Sequence, residues 1–209
     1  LEFRRVLFRS SLELAENLQK LGIKITIVQR PKHLMNPFDP DMASFIHGEM
    51  RRHGIELLLG HTVEGFEEKN GGVDVLLKDK APLHGDMVIL AIGVTPDTQL
   101  AKAAGLALGI KGSILVNDRM ETSVPDIYAV GDAVQIKHYV TGQDALLSLA
   151  GPANKQGRIA ADNICGGDSH YRGSLGSSVI KLFDLTAAST GINETNAKKS
   201  GLDTDKVIL

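Results

Sequence analysis

The sequence predicts an α/β protein that opens with an incomplete Rossmann-like unit and continues into two segments of different character. Three observations predict it. Leu12, Leu14, Ala15, Leu18 and Leu21 recur at helical spacing, stop at Gly22, and give way to an alternating strand over 23–28. A second helix, glycine and strand follow between Pro40 and Leu59. Much further on, a short apolar strand over 127–130 ends abruptly in Gly131-Asp132.

Helix, glycine, strand is the second half of a βαβ unit, so the first strand and its glycine-rich turn are expected to be missing. The ten residues in their place, Leu1-Glu-Phe-Arg-Arg-Val-Leu-Phe-Arg-Ser10, pack three arginines among bulky apolar side chains. They have neither the apolar core nor the small-residue cleavage site of a signal peptide and are set aside as a probable artefact. Pro40 then opens a helix in its first turn, with Asp39 as N-cap, running to about His53 before Gly54 stops it. Residues 55–59 form a strand. Residues 62–68 and 73–78 read as a hairpin around Asn70-Gly71-Gly72, and 86–92 as a buried strand ended by Gly93. A short helix over 97–104, strands over 113–116 and 127–130, and a helix over about 149–164 come next. The turn 173–178, strands over 179–183 and 186–190, and a helix from Glu194 begin a third unit.

Composition excludes several classes of function. Over 209 residues the net charge is −2, which gives no reason to invoke nucleic acid or an anionic membrane, and no apolar run approaches a membrane span. Partners are expected to be small molecules. One cysteine rules out an intrachain disulfide framework and fits a reducing, cytoplasmic setting. That cysteine, Cys165, has no second Cys at C-x-x-C spacing and no local His, so it is expected to be a small buried filler. The seven histidines lack metal-ligand spacing, and no metal is expected; His47 and His53 read as partly exposed residues on a helix's polar face.

The chemistry is expected at strand ends. In a Rossmann unit the residue closing the second strand reads the adenosine ribose, a carboxylate bonding a 2′-hydroxyl and an arginine accommodating a 2′-phosphate. Gln29 holds that position, followed by Arg30 and Lys32, which leans toward NADPH; the alternative is that both cations are solvated loop residues. A strand stopping at Gly93 lets backbone approach a ligand closely, and Pro96 sets the turn that leads away. Asp132, at the carboxyl end of a strand, is placed to accept hydrogen bonds from sugar-like hydroxyls. A helix opening near Pro152 points free N–H groups at whatever precedes it, while Ala150 and Gly151 leave room for a ring. A purely structural helix is the alternative.

The run Glu121-Thr-Ser-Val-Pro-Asp-Ile-Tyr-Ala-Val-Gly-Asp132-Ala133 resembles the second flavin-binding motif of the pyridine nucleotide-disulfide oxidoreductases, T-x-x-P-x-I-(Y/F)-A-x-G-D. The resemblance implies that Asp132, with Gly131, holds the ribityl chain of FAD. The segment Leu12-Glu-Leu-Ala-Glu-Asn-Leu18 is similar to the family's helix after the glycine turn, which implies that Glu13 lies toward the nicotinamide; otherwise Glu13 is an acid that favours a helix N-terminus. Val88-Ile-Leu-Ala-Ile-Gly-Val-Thr-Pro96 resembles the crossover between nicotinamide and flavin domains, with Gly93 flanking NAD(P)H. By the same resemblance Leu149 and Ala150 contact the isoalloxazine. The Pro-Ala-Asn-x-Gln-Gly-Arg158 pattern and the segment from Tyr171 are similar to the coenzyme A-disulfide reductase and NADH oxidase branch.

The implied domains are an NAD(P)H-binding portion over 11–108, the carboxyl-terminal portion of an FAD-binding domain over 109–168, and the beginning of an α+β dimerisation domain over 169–209. The implied parent is a cytoplasmic homodimer. It passes hydride from NAD(P)H through FAD and a cysteine to a small disulfide such as coenzyme A disulfide, or to a persulfide. An NADH oxidase or peroxidase, or a flavoprotein reductase serving a protein partner, are the alternatives. The family's redox cysteine belongs to an amino-terminal flavin domain outside this sequence, so no catalytic residue is assigned and the chain alone is expected to be inactive.

Overall fold

In the computed structural model, which describes residues 2–4 and 10–207, the chain divides into two compact units. The first comprises residues up to Val94, Ser178–Ser189 and those from Asn193 onward; the second comprises Thr95–Ser177 and Thr190–Ile192.

The first unit runs β1 (Glu2–Arg4), α1 (Ser10–Lys20), β2 (Thr26–Gln29), α2 (Pro40–Arg52) and β3 (Glu56–Leu59), then β4 (Val63–Lys69), β5 (Gly72–Leu77), β6 (Lys80–Gly85) and β7 (Val88–Leu90). A parallel sheet forms in the order β3-β2-β1-β7. Its two faces follow from period-two alternation, because β2 and β3 pair Ile27 with Leu57 and Val28 with Leu58. Ile27 and Leu57 enter a core with Leu12 and Ala15 of α1 and Ala43, Ile46 and Met50 of α2. Val28 and Leu58 turn the other way and pack on Val63, Val75 and Leu77. Each large aliphatic side chain so buried contributes roughly 1.5–3 kcal/mol, several times the propensity differences between residues. Packing, rather than propensity, therefore fixes these elements.

Several expectations are corrected here. Glu2–Arg4, set aside from the fold, pairs in parallel with both Thr26–Val28 and Val88–Leu90 and so fills the place of the missing first strand. The reason is backbone accounting: two flanking strands present N–H and C=O groups that any extended segment between them can satisfy. The segment that follows β1, Arg5-Val-Leu-Phe-Arg9, contains no glycine and lies outside the described residues. The expected hairpin is a three-stranded meander, β4-β5-β6. The strand expected to be buried over 86–92 leaves Leu90 and Ile92 about half exposed, because β7 lies at the sheet's edge. Asp39 has the extended backbone of an N-cap but makes no side-chain bond to α2.

The second unit contains α3 (Gln99–Ala103), single 3-10 turns at Ile110–Gly112 and Gly131–Ala133, β8 (Ile136–Lys137), β9 (Asp144–Ala145) and α4 (Ala150–Ile164). Met120, Val134, Ile136, Ala160 and Tyr171 form its core. The strands expected over 113–116 and 127–130 are reduced to isolated bridges, Ile114 to Leu108 and Val134, and Tyr128 to Glu121. Ile127 and Val130 are exposed.

The chain then returns to the first unit through β10 (Ser178–Leu182), β11 (Leu185–Ser189) and α5 (Glu194–Lys199). Ile180, Leu182 and Phe183, from the segment read as the beginning of a dimerisation domain, enter the core with α1 and α2, because that face of the helices offers apolar surface to the hairpin. The Asp39 carboxylate accepts from the amides of Glu194 at 2.8 Å and Thr195 at 3.1 Å, so it caps α5 rather than α2. The division between the two compact units falls near residue 94. Among the described residues no helix is long and apolar enough to cross a membrane.

Candidate functional site

The sequence-predicted residues fall into two sets, one in each unit. Glu13, Gln29, Arg30, Lys32 and Gly93 belong to the first unit; Gly131, Asp132, Leu149 and Ala150 belong to the second.

Gln29 closes β2 as expected, yet its side chain is only 3% exposed. Its Nε2 donates to the His33 carbonyl at 2.9 Å, which folds the loop after β2 back on the strand. The Gly60 amide donates to the carbonyls of Gln29 at 2.8 Å and Pro31 at 3.0 Å, tying the ends of β2 and β3 together. Leu34 and Met35 anchor the far side in the core. The Leu34 amide donates to His47 Nε2 at 3.0 Å, a bond that requires a neutral imidazole. Burial, helped by the nearby charges of Arg51 and His33, holds the His47 pKa below its ordinary value and keeps that acceptor available. From this pinned loop Arg30 and Lys32 extend into solvent.

Glu13 is exposed in the first turn of α1, where its carbonyl accepts from Asn17 Nδ2 at 2.7 Å. Gly93, just beyond β7, has φ +95°, a conformation that disfavours side-chain-bearing residues and leaves its backbone exposed.

In the second unit, extended Val130 leads into a tight turn in which Gly131 has φ +83° and Asp132 is exposed. Gln156 Oε1, from the middle of α4, accepts the Gly131 amide at 2.7 Å. Sequence reasoning placed Gln156 in a motif but gave it no role. Its 1% exposure, rare for an uncharged amide on a helix, is the signal the fold adds. Asn163, two turns further along the same face of α4, donates through Nδ2 to the carbonyls of Arg119 and Ser169 and accepts the Ser169 amide through Oδ1.

α4 begins as expected. Leu149 is its half-exposed N-cap, with extended backbone and no side-chain cap bond, and Ala150 is its exposed first residue. Pro152 has no N–H and the Ala153 amide reaches the Leu149 carbonyl at 3.2 Å, leaving the first-turn amides of Ala150 and Gly151 free of helical acceptors. A Cβ placed on Gly151 or Gly131 would meet nothing within 4 Å, so the space before both is open. An exposed carboxylate acceptor beside a turn, open space, and a helix start with unspent donors fit a polyhydroxy chain joined to an electron-rich ring.

Two features differ from expectation. Cys165 is exposed rather than buried, because it lies at the C-cap of α4, past the last turn that packs inward. Glu49, His53 and Asp184 bring ligand atoms within 4.8 Å of one another, a grouping invisible in the sequence because Asp184 comes from the β10–β11 turn. There Glu49 pairs with Arg52 at 2.6 Å and accepts the Asp184 amide at 3.4 Å, while the His53 ring stacks on Phe183 at 3.7 Å. These contacts clamp the hairpin to α2.

Comparison with known proteins matches residues 10–157 to the profile described as pyridine nucleotide-disulphide oxidoreductase. The chain is 36% identical over 193 residues to the CoA-dependent NAD(P)H sulfur oxidoreductase of Pyrococcus abyssi, covering 92% of this chain and 43% of that protein. Among solved structures, reduced Bacillus anthracis CoADR-RHD aligns with a TM-score of 0.91 at 45% identity, over 97% of this chain and 36% of that one. An FAD-dependent pyridine nucleotide-disulphide oxidoreductase from Desulfovibrio vulgaris aligns with a TM-score of 0.88 at 36% identity, over 96% of this chain and 51% of that one. The chain thus spans less than half the length of the curated relatives it matches.

Proposed function

The chain belongs to the pyridine nucleotide-disulphide oxidoreductase family, and on that footing we propose that it contributes to an FAD-dependent enzyme that passes hydride from NAD(P)H, by way of flavin and a cysteine outside this sequence, to a small disulfide or persulfide. Coenzyme A disulfide is the disulfide that the names of its relatives favour. The observation that carries the reading is the pairing, within one unit, of the Gly131–Asp132 turn with the uncapped start of α4.

When bound, flavin supplies the two-electron step between nicotinamide and acceptor, and the protein supplies binding and orientation. Asp132 accepts hydrogen bonds from the ribityl hydroxyls. Gln156 fixes the turn on which that carboxylate stands. The amides of Ala150 and Gly151 donate to the electron-rich edge of the ring, beside Leu149. On the nicotinamide side, Gly93 admits close approach of backbone to the dinucleotide, Glu13 lies toward the nicotinamide, and the Gln29–Lys32 loop meets the adenosine ribose. The proposed assembly is a cytoplasmic homodimer, in keeping with the single cysteine and near-neutral charge.

The test is flavin retention and turnover in an enzyme of its relatives' length that carries this chain. Asp132→Ala is expected to weaken FAD binding at least tenfold, about 1.4 kcal/mol, and NAD(P)H-dependent reduction of coenzyme A disulfide is expected in the unsubstituted protein. Undiminished flavin affinity in the variant would sink the flavin assignment. Reduction of oxygen but not of the disulfide would replace the acceptor with that of an NADH oxidase.

A further inference from the structure

We infer that the loop after β2 selects the dinucleotide that bears a 2′-phosphate on its adenosine ribose, with Arg30 and Lys32 as the specificity-determining cations. This rests on the nicotinamide-site reading above and goes further by naming which of the two dinucleotides the site prefers.

The first support is what the strand ends lack. A 2′-hydroxyl is read by an acceptor, usually a carboxylate, at the end of the second strand. Neither residues 29–37 nor residues 57–63 contain an Asp or Glu. Gln29 is the remaining candidate acceptor, and the fold withdraws it. Its Nε2 is spent on the His33 carbonyl, which fixes the amide's orientation, and its Oε1 is sealed from solvent with no partner among the described residues. A ribose at the strand end therefore meets no accessible side-chain acceptor from this loop.

The second support is what the loop presents. Arg30 and Lys32 flank Pro31, are exposed, and have no ion-pair or hydrogen-bond partner among the described residues. Their backbone is held on both sides, by the Gly60 amide on the Pro31 carbonyl and by the Leu34 amide on His47. The Lys32 stem lies across Gly60, with Cγ 3.7 Å from where a Cβ on that glycine would stand. Two cations projecting from fixed backbone lose less freedom on closing around an anion than two on a mobile loop would. A guanidinium also matches phosphate geometry in a way that a hydroxyl cannot exploit.

The experiment titrates the isotopically labelled chain with adenosine 2′,5′-bisphosphate, adenosine 3′,5′-bisphosphate and AMP, following the amides of residues 28–33 and 59–61. The expected result is binding of the 2′,5′-bisphosphate about tenfold tighter than AMP. The double variant Arg30→Gln, Lys32→Gln should erase that difference, bringing the affinity for the 2′,5′-bisphosphate down to that for AMP. Equal affinity for the 2′,5′-bisphosphate and AMP would overturn the selectivity and leave the nucleotide site standing. A 3′,5′-bisphosphate bound as tightly as the 2′,5′ isomer would also overturn it, by reducing it to unspecific charge. No perturbation by any of the three would overturn both the selectivity and the nicotinamide site beneath it.

Discussion

Gln156 Oε1 accepts the Gly131 amide at 2.7 Å, so one buried side chain ties the middle of α4 to the turn that carries Asp132. Gln156→Leu keeps the volume and deletes the acceptor, leaving the Gly131 N–H without a partner in a partly enclosed site. The expected cost is about 1–3 kcal/mol, read as a lower urea midpoint, together with faster hydrogen exchange at Gly131. Unchanged exchange at that amide would show that the turn is held by something else.

Asn163 joins three backbone groups from two separate segments, around Arg119 and Ser169. Asn163→Ala strands all three, and a loss of roughly 2–4 kcal/mol is expected. Chemical denaturation of the variant measures it; a loss below about 0.5 kcal/mol would mean that water replaces the amide at no net cost.

Leu182 is 1% exposed in the core that α1 and α2 share with the hairpin. Leu182→Ala is expected to destabilise the first unit by about 2–5 kcal/mol, visible as lost exchange protection at Ile27 and Met50. Were the segment from residue 169 an independent body, those two amides would be indifferent to the change.

His170 lies between two carboxylates, with Nδ1 2.8 Å from Asp118 and Nε2 3.1 Å from Asp168. Hydrogen bonds that the charged ring donates to Asp118 first and Asp168 second raise its pKa above the ordinary 6.5. The folded chain therefore holds this proton more tightly than the unfolded chain does. Its contribution is complete below pH 6.5 and fades as pH rises through the raised value, so stability declines on the alkaline side of that interval. In His170→Asn that decline should disappear from a series of urea midpoints across neutral pH. A variant with the original pH dependence would place the titrating group elsewhere.

Much of the first unit was legible because its signals are local. Leu12 to Gly22, Pro40 to Gly54 and the alternation at Ile27 and Val28 each announce an element within a dozen residues, and each formed close to its expected bounds. What escaped depends on partners distant in sequence. β6 contains Ala, Pro and Gly in six residues and becomes a strand only because β5 is beside it. Residues 127–130 have strand composition, but a strand needs a ladder, and Tyr128 finds only Glu121. At the candidate site, the exposure of Arg30, Lys32 and Asp132 follows from charged side chains set in loops beside Pro31 and Gly131. The role of Gln156 was not legible, since its partner lies 25 residues earlier. The same limit hid the burial of Gln29, which is set by a loop that folds back to offer the His33 carbonyl.

The second unit is an insertion in the sequence of the first, whose core draws on Leu12 before the insertion and Phe183 after it. On the ribosome that nesting imposes a schedule. Met120, Val134, Ala160 and Tyr171 all emerge before Phe183, so the inserted unit holds its own apolar complement while the first unit still waits. For that interval the faces of α1 and α2 that the hairpin will cover stand open to water, and nascent chains stalled short of residue 180 should be the form that chaperones capture.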